Sequence, residues 1–90
     1  MIEYQPAFYQ FIPVIPPDRI TEGIKEPVVL SQDEFEAIRL ILYHKLTQEE
    51  AAKKMGISRG TVWRCLESAR TKIAAMLVEG RPLVVVPNKL

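Results

Sequence analysis

The sequence predicts a mainly helical fold: three helices around a tight turn, with a short β-ribbon from the two ends of the chain. Three observations predict it. Apolar residues recur at helical spacing between Ser31 and Gly80. Within that stretch the pattern Ser/Thr-x-x-Glu occurs at Ser31–Glu34 and at Thr47–Glu50, the signature of a helix start in which side chain and backbone cap each other. The flanks, residues 1–30 and 81–90, hold all seven prolines, a density that forbids a long helix there.

The elements follow in order. Residues 1–30 read as an extended arm with Tyr4, Phe8, Tyr9 and Phe11 among five prolines. Its segment "AFYQFIPV" is suited to a strand, with Phe8, Gln10, Ile12 and Val14 on one side. Ser31 caps a first helix whose apolar positions Phe35, Ile38, Ile41 and Leu42 run to about residue 44. Thr47 opens a short second helix that stops at Gly56. Ser58 caps a third, with the stripe Val62, Cys65, Leu66, Ala69, Ile73, Met76 and Leu77, and Gly80 with Pro82 ends it. "PLVVVP" (82–87) is a second short strand. It is expected to pair antiparallel with the first, and the ribbon to lie on the helices or be completed by a second chain, since two strands alone are marginal in water. The chain is thus one domain, 1–90: an arm (1–30), a helical core (31–80) and a terminal strand (81–90).

Composition narrows the function classes. Nearly half of the residues are apolar (48%) and about a quarter charged (26%), an ordinary globular mix. No apolar run reaches the roughly 18 residues of a membrane span, and the opening "MIEYQPAFYQ" lacks the pattern of a signal peptide. A single cysteine, Cys65, makes neither an internal disulfide nor a cysteine-rich zinc site, which fits a cytoplasmic protein without metal or cofactor. The net charge of +1 conceals an asymmetry: residues 1–52 carry −5, whereas residues 53–72 carry +5. A basic segment in a near-neutral chain points to a local anion-binding surface.

That segment coincides with a register. With Gln48 as position one of a helix-turn-helix, Ala51 and Ala52 are four and five, Met55 eight, Gly56 nine, Ile57 ten, Val62 fifteen and Cys65 eighteen. Two helices crossing steeply need a very small residue where they touch, which Ala52 supplies. The sharp turn favours a left-handed residue at position nine, which glycine adopts without penalty. The remaining positions face between the helices and are apolar. With Val62 and Leu66 turned inward, Trp63 faces outward beside Arg59, Arg64 and Glu67. A recognition helix offers such residues to the major groove, where arginine bonds guanine edges and apolar groups touch thymine methyls. Ser58 and Thr61 are placed for a phosphate at the helix start, and Lys54, Arg70 and Lys72 for flanking phosphates. The candidate contact set for double-stranded DNA is therefore Ser58, Arg59, Gly60, Thr61, Trp63, Arg64, Glu67, Lys54, Arg70 and Lys72.

From Leu30 to Gly80 the chain resembles a family of small prokaryotic proteins with a helix-turn-helix like region four of bacterial sigma factors. "DEFEAIRL", "LTQEEAAKKMGISRGT" and "ARTKIAAMLVEG" carry the likeness, most specifically Gln48 to Ala52, Met55-Gly56 and Ser58-Arg59. The resemblance implies DNA binding and a role in transcription regulation. The chain departs from it twice: paired cysteines near the N-terminus are missing, with any metal or redox role attached to them, and Leu42 stands near a position that is acidic in the family.

Plainer readings account for the other reactive residues. Cys65 holds a core position, and His44 can meet the negative end of a helix. Asp33, Glu34, Glu36, Glu49 and Glu50 crowd two helix starts, where capping and dipole compensation explain them, and Arg39 is expected to pair with this acidic group. No nucleophile motif, phosphate loop or metal-ligand spacing occurs, so the chain is not expected to be an enzyme. The alternative to DNA binding is a protein-interaction module, with Trp63 as an interface anchor and a component of the transcription machinery as partner. A homodimer joined through the terminal segments is also expected, because a symmetric pair reads two half-sites.

Overall fold

In the computed structural model the described residues are 10–14, 16–18, 23 and 25–87. The elements in chain order are β1 (Gln10–Phe11), β2 (Val28–Ser31), α1 (Gln32–Ala37) continuing into a π-helical segment (Ile38–Tyr43), α2 (Gln48–Met55), α3 (Arg59–Glu79) and β3 (Leu83–Val86). Three helices thus pack with one small mixed sheet, in the strand order β1-β3-β2.

The expected ribbon forms within the chain, Gln10 opposite Val84 and Phe11 opposite Leu83, antiparallel. The part of the strand expectation that covers residues 7–9 lies outside the described residues, and Ile12, Pro13 and Val14, expected in the strand, follow it instead, since β1 ends at Phe11. The arm reading of 1–30 needs one correction. Its end, Val28–Ser31, is a strand parallel to β3, with Val28 opposite Leu83 and Ser31 opposite Val86. Parallel neighbours require a long crossover, and here the three helices supply it. Val28 and Leu30 point into the core while Val29 points out, the period of two of a strand with one covered face. No turn separates β2 from α1: Ser31 is both the last residue of the strand and the cap of the helix.

Both predicted capping boxes are present. Ser31 accepts from the Glu34 N–H while Glu34 accepts from the Ser31 N–H, and Thr47 and Glu50 do the same for α2. Beyond Ala37 the first helix loosens. The His44 N–H reaches back five residues to the Arg39 carbonyl (2.9 Å) and the Leu46 N–H six, to that of Leu40 (3.0 Å). The wider winding turns the face, so Ala37 and Leu40 are buried and Leu42, expected inside, is exposed.

The core has two parts that share α3. Val28, Leu30, Leu83 and Val85 from the sheet surround Ala69, with Phe35, Ile38, Ile73 and Met76 against them. Leu40, Ala51, Ala52 and Met55 surround Val62, with Ile41, Leu46 and Ile57 at the margin. Val62, Leu66, Ala69, Ile73 and Met76 follow the alternating four-and-three spacing of a helix seam. Leu77 falls off that seam and is 71% exposed, against the expectation that it joins the stripe.

The connection between α2 and α3 turns on Gly56, which is left-handed (φ 68, ψ 34). The Ile57 N–H then closes on the Ala52 carbonyl at 3.1 Å. A Cβ at Gly56 would meet nothing within 4 Å, so only the backbone conformation selects glycine. Gly56→Val is therefore expected to lower stability by about 1–2 kcal/mol, read as a lower urea midpoint, because a β-branched residue is strained at positive φ. Removing residues 82–90 takes away the central strand and the buried Leu83 and Val85, and should abolish cooperative thermal unfolding.

Candidate nucleic-acid interface

The surface singled out by the sequence is built on the end of α2, the turn at Gly56 and the first turns of α3. Ala51, Ala52, Met55 and Val62 are buried between these helices, which leaves Lys53, Lys54, Ser58, Arg59, Gly60, Trp63 and Arg64 on the outside. Trp63 is 49% exposed and so keeps a large apolar face in contact with solvent beside these cations. At 100° per residue, Arg59, Trp63 and Arg70 share one flank of α3. Arg64 lies on the other side, above Thr61.

The start of α3 is held by Ser58. Its hydroxyl accepts from the Thr61 N–H (3.1 Å) and shares a hydrogen bond of 2.8 Å with the Thr61 hydroxyl. Arg64 Nη2 donates to the same Thr61 hydroxyl at 3.3 Å, which leans the guanidinium toward the helix start. The N–H groups of Arg59 and Gly60 belong to the first turn, which has no acceptor within the helix.

The remaining members of the predicted set are engaged with acids. Arg70 Nη1 is 3.0 Å from Glu67 Oε2, an exposed pair one turn apart whose charges offset each other. Lys72, expected to meet a flanking phosphate, has its ammonium 2.8 Å from Glu34 Oε1, across the contact between α1 and α3. Glu34 also accepts from the Ser31 N–H (2.8 Å) and from the Ser68 hydroxyl. In the sequence Glu34 reads as a capping and dipole-compensating residue. Its second role requires α3 to pass over the start of α1, which no local pattern states.

Burial by itself raises the pKa of Glu34, but the hydrogen bonds from Lys72, Ser31 and Ser68 outweigh it and hold the carboxyl below its ordinary value of 4.5. A shallow groove opens beside this cluster, lined by Asp33, Thr61, Arg64, Cys65 and Ser68. The Cys65 thiol is pushed up from its ordinary value by burial first and then by the charges of Asp33 and Glu34. It stays protonated at neutral pH and is a poor nucleophile.

On the far side of α1, Arg39 pairs with the buried Glu36, as expected, and donates to His44 Nε2 at 3.2 Å. Among the described residues no three His, Cys, Asp or Glu side chains gather to hold a metal. No helix of the described residues is long and apolar enough to cross a membrane.

Residues 1–89 match a family described as "Protein of unknown function DUF134". A UPF0251 protein of Pyrococcus abyssi is 53% identical over 88 residues, which cover 98% of this chain and 77% of that protein. One from Thermococcus kodakarensis is 52% identical over the same length, covering 98% and 75%. A third, from Methanothermobacter thermautotrophicus, is 59% identical over 58 residues, covering 64% of this chain and 31% of its own. No solved structure matches the chain.

The Glu34 cluster gives a signed prediction. A carboxyl whose folded pKa is depressed contributes stability that is fully present above its ordinary value and is lost as the pH falls through the folded value. Unfolding free energy should therefore decline as the pH drops below 4.5. Glu34→Gln should cost about 1–2 kcal/mol at pH 7 and make the acid-side decline shallower, both read from urea titrations at several pH values.

Proposed function

This chain belongs to the DUF134 family, and from that premise we propose that it is a sequence-specific DNA-binding protein that regulates transcription, with α2 and α3 acting as a helix-turn-helix. One observation carries the reading. Arg59, Trp63 and Arg64 stand exposed on the first two turns of α3, while Val62 and Leu66 lock the same stretch of helix into the core. A helix held rigidly from behind, with cations and one aromatic residue in front, has what major-groove readout asks for: donors for guanine and an apolar surface for thymine methyls. The turn at Gly56 and the small Ala52 at the helix contact supply the angle between the two helices.

In this reading Arg59 and Arg64 face base edges and Trp63 packs against the groove wall or a methyl. Ser58, Gly60 and Thr61 present the start of α3 to a phosphate, and Lys54 and Arg70 meet flanking phosphates. Glu67 holds Arg70 in place. Lys72 leaves the contact set, since its ammonium is committed to Glu34.

The half-exposed Trp63 favours a second reading, an anchor for a protein of the transcription machinery, because tryptophan dominates interface hot spots. Salt separates the two. Each phosphate contact adds about 0.9 to the slope of log affinity against log salt, whereas a protein contact through Trp63 need not respond.

Three variants test the assignment by fluorescence anisotropy on duplexes selected from a random pool. Arg64→Ala should cost about 1–3 kcal/mol and relax the preferred sequence at one position. Arg59→Ala combined with Arg64→Ala should abolish selective binding; unchanged affinity at low salt would refute the groove assignment. Lys72→Ala should leave the salt slope as it is and instead lower the melting temperature, through loss of its pair with Glu34.

A further inference from the structure

Arg64 is exposed, yet its guanidinium is held, and the acids around it are not what holds it. One turn ahead stands Glu67, whose carboxylate is taken by Arg70 Nη1 at 3.0 Å. Across the shallow groove that Arg64 borders stands Glu34, which already accepts from the Ser31 N–H, the Ser68 hydroxyl and the Lys72 ammonium. One turn back stands Thr61, and Arg64 Nη2 donates to its hydroxyl at 3.3 Å.

The Thr61 oxygen is itself fixed. It lies 2.8 Å from Ser58 Oγ, and that oxygen in turn accepts from the Thr61 N–H at 3.1 Å as the cap of α3. A hydroxyl carries one proton and two lone pairs, so the Thr61 oxygen serves Ser58 and Arg64 together. The guanidinium is thereby anchored, through two hydroxyls, to the backbone at the start of the helix. Arginine carries a large rotamer entropy, and ordering it before binding removes that cost from the binding step. A two-bond contact with a guanine edge also demands a set plane. The direction matters as well, because a recognition helix puts its N-terminal end against the base edges.

We propose that Thr61 is a positioning residue: its hydroxyl aims the Arg64 guanidinium, so that discrimination at the base pair Arg64 reads depends on a side chain that need not touch a base. This role rests on the DNA reading above and deepens it. It is also distinct from a phosphate contact by Thr61, which would strengthen every sequence alike, whereas aiming acts at one base pair. Asp33 lines the same groove as Arg64. A guanidinium released by Thr61 therefore has a carboxylate to move toward, away from the start of the helix.

The test compares the full chain with Thr61→Val, which keeps the shape of the side chain and removes the hydroxyl, and with Thr61→Ser, which keeps the hydroxyl. Fluorescence anisotropy gives the affinity ratio between the preferred duplex and one changed at the base pair that Arg64→Ala identifies. Thr61→Val should shrink that ratio about three- to tenfold, and Thr61→Ser should retain it. In the protein without DNA, the NMR order parameter of the Arg64 Nε–H group should fall in Thr61→Val and hold in Thr61→Ser. Thr61→Ala replaces the valine variant in both measurements if valine disturbs the circular dichroism spectrum. A hydroxyl-free variant that weakens both duplexes equally, with the ratio untouched, overturns the proposal and leaves the DNA reading standing. So does an Arg64 order parameter indifferent to the substitution. A wild-type protein that prefers no duplex overturns the DNA reading, and the role of Thr61 with it.

Discussion

Val62 and Ala69 lie seven residues apart on α3, on one face, and both are fully buried, one in each part of the core. The rest of the architecture follows from that face having to be covered along its length. A helix of 21 residues spans about 30 Å, too long for one small partner. Its first half is covered by α2 and the π-helical segment, its second half by α1 and the sheet. Ala51 and Ala52 let α2 come close to Val62, and Ala69 lets the sheet come close to α3. Any account of what the outer face of α3 does begins from this inner one, because a side chain can be aimed at a partner only if the helix beneath it cannot roll.

Two polar devices fix the angle at which the pieces lean on α3. Glu34 gathers the Ser31 N–H, the Ser68 hydroxyl and the Lys72 ammonium, and so ties the junction of β2 with α1 to the middle of α3. Arg81 does the same at the far end. It donates to the carbonyls of Glu26 and Pro27 just before β2, while the Val28 N–H donates to the Pro82 carbonyl at 2.7 Å. The apolar clusters supply cohesion without direction; these charge-assisted bonds supply the direction.

Much of this was legible in the sequence because it rests on local rules. The capping boxes, Gly56, Gly80 and the seam of α3 each depend on residues within about seven positions, and apart from Leu77 each is where the spacing puts it. What escaped was non-local. β2 holds only four residues and ends in a cap, so its pattern is too short to separate from the arm. The second role of Glu34 and the commitment of Lys72 depend on a contact 38 residues away. The π-helical segment moved Leu42 outward, since nothing in a periodicity marks where a helix changes its winding. For the candidate interface, the outward placement of Trp63 and the arginines followed from the register alone, whereas Glu67 turning to Arg70 was a choice among neighbours that spacing leaves open.

The strand order carries a consequence for how the molecule comes to be. β3 lies between β1 and β2 yet follows both in the chain, after all three helices. On the ribosome neither earlier strand has anything to pair with until β3 has emerged. Val28 and Leu30 must wait through the synthesis of more than fifty residues before the partners Leu83 and Val85 arrive. The helical half, by contrast, meets its neighbours in the order in which they are made. Synthesis therefore imposes a sequence of events on the fold, with the turn assembled early and the sheet closing it last.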